Sequence, residues 1–316
     1  MPSEFELINA FVKGLPHASA PVGPGDDCAL PPSPKERLCL TTDATVEGVH
    51  FTRDHFDMEE IGHKALAANL SDLASMGATP KWWLCALGVP PNFALGDAQA
   101  LARGMRPLAV KHGLVLLGGN ITSSPVLSLT LTLAGEAKKP LLRSGAKAGD
   151  LLYVCGELGE ARAGLALMQT LPDTESDERR RVLLAQRRPS PRIAEGRIAG
   201  RFARAAIDVS DGLLQDLGHV CRSSKVAAHL ESALLPLSSS LKSVAGAQAM
   251  FFALLGGEDY ALLLAVPEKV STAFEREMKK HRLTATRVGR FAKGKGVWLD
   301  GVRQADNSGH DHLARR

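Results

Sequence analysis

The stretch Thr41-Thr42-Asp43-Ala44-Thr45-Val46-Glu47-Gly48-Val49-His50-Phe51 follows the apolar run Leu38-Cys39-Leu40. Aliphatic residues leading into two hydroxyls and a carboxylate predict a short buried strand that ends in hard oxygen donors. Upstream, Val22-Gly23-Pro24-Gly25-Asp26-Asp27-Cys28-Ala29-Leu30 is a Gly/Pro turn that delivers paired acids into an apolar run. Downstream, Asn69-Leu70-Ser71-Asp72-Leu73 and Ile207-Asp208-Val209-Ser210-Asp211-Gly212-Leu213 again set Asp beside Gly or Ser among aliphatic neighbours. Carboxylates gathered at apolar edges repel one another and take up protons unless cations compensate. The predicted ligand is therefore Mg2+.

At 316 residues the chain exceeds the usual single core of about 250 to 300 residues, so two domains are expected. With 45% hydrophobic and 23% charged residues it has the makeup of a globular protein. Aromatics are only 5%, which argues against a base-stacking nucleic-acid binder. Much of the net charge of +4 falls between Arg179 and Arg204, where apolar residues recur at helical spacing, and this basic run is read as a solvated helix face. No apolar run reaches the roughly 18 residues of a membrane span, and Met1 to Glu6 lacks a signal-like apolar region. Cysteines at 28, 39, 85, 155 and 221 form no C-x-x-C pair; buried, reduced thiols in a cytoplasmic protein are expected.

Along the first half, the apolar spacing predicts a helix from Ser3 to Val12, another from Glu59 to Met76, and a third from Gly96 to His112. On the second of these Asn69 and Asp72 share a face, which suggests one wet stripe that meets a ligand. Strands are expected at Trp82 to Val89, Leu114 to Leu117 and Leu127 to Leu133. The middle one ends at Gly118-Gly119-Asn120, where glycines would let the backbone approach a phosphate. Lys138-Lys139-Pro140 marks the boundary between domains 1–139 and 140–316.

In the second half, Leu151 to Cys155 and Ala205 to Val209 read as strands, each followed by a helix. Arg143 either reaches a polyphosphate or is an ordinary surface arginine, and Ser210 or Asp211 would equally serve as a helix N-cap. Leu254-Leu255-Gly256-Gly257-Glu258-Asp259-Tyr260 precedes a further strand. Helix and strand alternate through both halves, which gives an α/β (α+β) chain.

Seven segments, GPGDDCAL at 23–30, TTDATVEGVHF at 41–51, ANLSDLASMGATP at 68–80, SGAKAGD at 144–150, RPSPR at 188–192, IDVSDGL at 207–213 and GGEDY at 256–260, together resemble the thiamine-monophosphate kinase family in its own order. The resemblance implies an aminoimidazole ribonucleotide synthetase-like fold of two domains, whose N-terminal strands pair across a homodimer. It implies ATP and thiamine phosphate as substrates and several Mg2+ ions. Asp27, Thr41, Thr42, Asp43, Asp72, Asp208 and Asp211 would then be metal ligands. Gly119, Arg143 and Ser210 would hold ATP, and His50 and Glu258 would face thiamine phosphate. Asn120 stands where the family shows an acidic ligand; Asn keeps a carbonyl oxygen for the metal but brings no charge. Gly309-His310-Asp311-His312 resembles the family's G-Y-D-H ending.

Such a reaction needs no covalent catalytic residue, because the acceptor is itself an anionic phosphate monoester. Two other functions are consistent with the sequence: a paralogue that binds nucleotide or thiamine phosphate without turnover, marked by Asn120, and another enzyme of the same superfamily. No nucleic-acid or membrane partner is expected.

Overall fold

A computed structural model describes residues 4–16, 32–170 and 176–305. The chain divides into two compact units, Met1–Leu73 with Thr79–Lys138, and Ala74–Ala78 with Lys139–Arg316.

The first unit runs α1 (Glu4–Val12), β1 (Arg37–Val46), α2 (Met58–Ser75), β2 (Thr79–Val89), α3 (Leu95–His112), β3 (Val115–Ser123) and β4 (Ser128–Ala137), with the C-terminal end of α2 passing into the second unit. Its sheet has the order β1-β4-β2-β3. β4 is antiparallel to both β1 and β2, while β2 and β3 are parallel and joined through α3, a crossover that parallel strands require. The alternation in β4 appears as expected: Leu129, Leu131 and Leu133 are fully buried, and Thr130 is exposed.

Three expectations change here. β1 is ten residues long and carries Thr41 to Val46 within it, and it is a sheet edge with much of its surface exposed. Leu38 and Leu40 are 46% and 66% exposed, whereas Cys39 and Thr45 of the opposite face are buried. Hydrophobicity alone could not report that one face of this sheet lies open.

The wet stripe of α2 runs through Ala68, Asp72 and Ser75, at helical spacing, and leaves out Asn69, which is fully buried and donates Nδ2 to the Ala65 carbonyl at 3.0 Å. Nor does β3 stop at Gly118-Gly119. It continues to Ser123, pairing Gly119 with Cys85, and a Cβ on Gly119 would lie 1.8 Å from the Cys85 carbonyl oxygen. The glycine is required by a neighbouring strand.

The second unit contains β5 (Asp150–Cys155), α4 (Glu160–Thr170), α5 (Asp177–Arg187), α6 (Ile193–Ala199), β6 (Ala205–Asp208), α7 (Leu213–Ser224) and β7 (Ala227–Leu230). After these come α8 (Ser239–Ala245), α9 (Ala249–Leu255), β8 (Leu262–Pro267), α10 (Glu268–Lys280), β9 (Thr286–Ala292), β10 (Gly296–Leu299) and β11 (Val302–Arg303). They form a mixed sheet of order β11-β10-β7-β9-β5-β8-β6. β5 and β8 are buried at every position, as strands covered on both faces must be. One core joins Leu152, Val154, Ile207 and Leu263 to Leu213 and Leu217 of α7. Tyr153 contacts Phe274 of α10 edge to face at 5.3 Å.

The cysteines at 39, 85, 155 and 221 are unpaired and buried, and burial pushes the thiols of Cys85 and Cys155 well up. Such thiols are poor nucleophiles. Among the described residues, no helix is long and apolar enough to cross a membrane.

Candidate functional site

In the first unit the sheet geometry sorts the candidates. Successive residues of a strand face opposite ways, so Thr41 and Asp43 share the face of buried Cys39 and Thr45, and Thr41 Oγ1 donates to Asp72 Oδ2 of α2. Thr42 faces the other way, its Oγ1 within 3.1 Å of both the Leu131 carbonyl and the Thr132 hydroxyl. β1 and α2 therefore bring together Thr41, Asp43 and Asp72.

Gly119 and Asn120 stand elsewhere. Through β4 and β2, Gly119 is in register with Asp43 and Asn120 with Ala44, but three strand spacings separate β3 from β1, roughly 14 Å. Both are exposed. A single copy of the chain does not bring them to the oxygens of β1.

The turn after β1 fixes His50, whose Nδ1 accepts the Val46 N–H at 3.1 Å while the His50 backbone N–H donates to the Val46 carbonyl. An accepting Nδ1 sets the neutral tautomer with its proton on Nε2. Glu47 accepts from Arg53 Nε at 2.6 Å and from the Leu127 N–H at 3.1 Å. Burial works against its charge, yet those bonds hold the carboxyl below the usual range. Glu47 thus ties the turn to the start of β4.

In the second unit two loops interlock. Glu258 donates its N–H to the Ser210 carbonyl at 2.8 Å and Tyr260 to the Val209 carbonyl at 2.9 Å. A Cβ on Gly257 would come within 2.2 Å of that Ser210 oxygen, so the glycine before Glu258 permits the close packing of one loop on the other. Ser210, Asp211 and Glu258 are thereby brought together, beside Asp208 at the end of β6, which is only 4% exposed.

Asp216 organises this arrangement and was not singled out by sequence. Its Oδ2 accepts from the N–H groups of Ser210, Asp211 and Gly212 at 3.0, 3.0 and 3.1 Å. Neither Ser210 nor Asp211 caps α7 through its side chain; Gly212 takes the N-cap position, and Asp216 reaches back. Burial, then repulsion from Asp208 and Asp211, pushes the Asp216 carboxyl up to about 7. The signal was present as an acid five residues after Asp211, one turn into the helix.

Asp259 is a second carboxylate of this kind. It accepts the Gly159 and Ala161 N–H groups at the start of α4, and burial pushes it up to about 7.

Arg143 is exposed, and its carbonyl accepts from Ser224 Oγ at 3.0 Å. It lies near His219, which burial, Arg222 and Arg143 hold below the usual range against the pull of Asp211. That shared neighbour puts Arg143 on the Asp211 side of the unit. His219 has Arg222 Nη2 at 3.0 Å from its Nδ1.

The arginine-rich run is not one solvated face. Arg181 pairs with Glu157 and with Glu160, the latter at 2.7 Å, and Arg181, Arg188 and Arg192 line a cavity of about 330 Å³ with Glu157, Glu160 and Asp259.

Among the described residues, no three His, Cys, Asp or Glu side chains form a metal cage. The donor chemistry still fits a hard cation. Asp72 with the Thr41 hydroxyl, and Asp208 with Asp211, supply oxygen ligands of the type Mg2+ prefers. The mutual repulsion felt at Asp216 is what a cation would relieve. Asp27, with Asp26 and Cys28, and the 309–312 tail lie outside the described residues.

Residues 25–137 match AIR synthase related protein, N-terminal domain, and residues 147–300 match AIR synthase related protein, C-terminal domain. Thiamine-monophosphate kinase of Escherichia coli (strain K12) is 38% identical over 322 residues, 98% of each chain. The crystal structure of thiamine-monophosphate kinase from Stenotrophomonas maltophilia K279a matches with a TM-score of 0.88 at 38% identity, over 96% of this chain and 98% of that one. A structure of AaThiL complexed with AMPPCP and TMP matches with a TM-score of 0.80 at 33% identity, over 91% of each. The likeness runs through both domains and favours turnover over a binding-only paralogue. With this two-domain AIR synthase-like fold, the chain belongs to the thiamine-monophosphate kinase family of ATP-dependent phosphotransferases.

Proposed function

We propose that this chain transfers the γ-phosphate of ATP directly and in line to thiamine phosphate, giving thiamine diphosphate and ADP. Identity of 38% to a thiamine-monophosphate kinase over 98% of the chain carries this reading. An acceptor phosphate oxygen forms the new bond to the γ-phosphorus as the bond to the β–γ bridging oxygen breaks. The acceptor is mostly ionised near neutral pH, its second pKa being about 6, so no protein base is required to activate it. The central obstacle is repulsion between two phosphate-bearing molecules, and Mg2+, when bound, would offset that charge.

Thr41, Thr42, Asp43 and Asp72 in the first unit would hold magnesium, as would Asp208 and Asp211 in the second, together with Asp27 and Asn120. Of the three β1 candidates, Thr41 and Asp43 direct their side chains to the Asp72 face, whereas the Thr42 hydroxyl is turned to β4. Ser210 and Arg143, with the Gly119 backbone, would bind ATP. His50, proton on Nε2, and Glu258 would orient thiamine phosphate. Position and electrostatics are what these groups contribute, which is the demand of a loose phosphoryl-transfer transition state.

A homodimer suits the open face of the first-unit sheet, where Leu38, Leu40 and Leu84 are exposed, because exposed apolar surface favours a protein partner. Asn120 and Gly119, remote from β1 within one copy, could then serve β1 of another. The deciding experiment is an assay of thiamine diphosphate formation from thiamine phosphate with ATP and magnesium. Product is expected, and none above the enzyme-free control would refute the proposal.

A further inference from the structure

Glu258 is held in an unusual way. Its backbone has φ 66, a left-handed conformation that a residue with a Cβ adopts only where its surroundings impose it, and such residues gather at ligand sites. The Ser210 carbonyl grips its N–H. Its side chain is caught from a third element: Gln186 of α5, 72 residues away in sequence, donates Nε2 to Glu258 Oε2 at 2.7 Å. Gln186 is 2% exposed although it sits in a helix of arginines, between Arg181 and Arg187–Arg188.

The chemistry of the donor matters. A guanidinium here would pair with Glu258 in a fork and cancel its charge. An amide donor orients the carboxylate and leaves the charge in place. Thiamine phosphate carries a permanently cationic thiazolium ring and an amino-substituted pyrimidine, for which a carboxylate held in one orientation is a suitable counterpart.

We propose that Gln186 is a positioning residue: its hydrogen bond fixes the Glu258 carboxylate for the cationic part of thiamine phosphate and thereby sets affinity for that substrate alone. This rests on Glu258 facing thiamine phosphate, as proposed above.

The test is steady-state kinetics on the full-length enzyme, with each substrate varied in turn. Gln186→Met keeps the length of the side chain and removes the donor. Losing one hydrogen bond to a charged group should raise KM for thiamine phosphate about tenfold, with KM for ATP within about twofold of the parent. Gln186→Glu, of the same size, sets like charges together and should raise the same KM further; it carries the comparison should the Met variant fail to fold. Glu258→Gln separates the two layers of the argument. In a Glu258→Ala background, Gln186→Met should have no additional effect on KM.

If Glu258→Gln raises KM for thiamine phosphate and the folded Gln186 variants do not, the positioning role is wrong and the Glu258 reading stands. If Glu258→Gln leaves that KM unchanged, both fall. Equal increases in both KM values would also overturn the proposal, because they would mark a general structural defect.

Discussion

Around β1 the candidate groups stand on a sheet surface that water reaches; around the 209–212 and 256–260 loops and the start of α7 they are tied into the backbone. Thr42 and Asp43 are exposed and placed by strand register, whereas Asp208 is buried and Asp216 spends a carboxylate oxygen on three N–H groups. A carboxylate at a wet sheet edge costs the fold little and keeps its charge for a ligand. A buried carboxylate must be satisfied by the protein first. Function and stability should therefore separate in the first unit and coincide in the second.

The largest effect is expected from Asp43→Asn and Asp72→Asn. Each keeps shape and one oxygen but loses charge, so turnover should fall by roughly a hundredfold or more while the melting temperature stays within about 3 °C. Coupled assays and calorimetric melts on the same preparations check this. A melting temperature that falls in step with activity would erase the contrast between the units.

Asp216→Ala tests the other side. Three backbone N–H groups in and beside the buried turn lose their acceptor, and a loss of about 3 kcal/mol, roughly 9 °C in melting temperature, is expected. Asp216→Asn should cost much less, because an amide oxygen can accept the same N–H groups without facing Asp208 and Asp211 as a charge.

The electrostatics of that loop also set a pH dependence. Folding raises the Asp216 and Asp259 carboxyls from 3.8 to about 7, so between those values the folded chain holds more protons than the unfolded one. Stability must then fall as pH rises from about 4 to about 7, by at most about 1.4 kcal/mol per pH unit for each group. Melts in metal-free buffer should show the decline, Asp216→Asn should remove its share, and magnesium should lessen it. A flat profile in the parent would remove the buried-charge account of the second unit.

What could be read from sequence follows the same division. The β4 leucines, the helix stopped at Gly113 and the acids of 41–43 and 207–211 were legible, because periodicity and local chemistry carry them. β7 was not: Ala227–Leu230 is four residues with two alanines and no flanking signal. The segment between α7 and the 256–260 loop went unassigned for the same reason, and α8 and α9 are seven residues each. Asp216 and Gln186 escaped notice because their partners are backbone groups or lie 72 residues away. Asn69 looked like a companion of Asp72 by spacing, but the roughly 60° between positions three apart on a helix was enough to put it in the core.

The smallest effect concerns Asn120. Its side chain is exposed on β3 and in register with Ala44, so an added charge disturbs no core contact and the melting temperature should not move by more than about 1 °C. If Asn120 contributes a metal oxygen, Asn120→Asp adds a negative charge to that set, and the magnesium concentration for half-maximal rate should fall about threefold with kcat within twofold. Titrating magnesium at saturating ATP and thiamine phosphate measures it. An unchanged magnesium requirement would place Asn120 outside the metal set. The functional oxygens of the first unit would then reduce to those that β1 and α2 bring together, a group that a single copy of the chain already assembles.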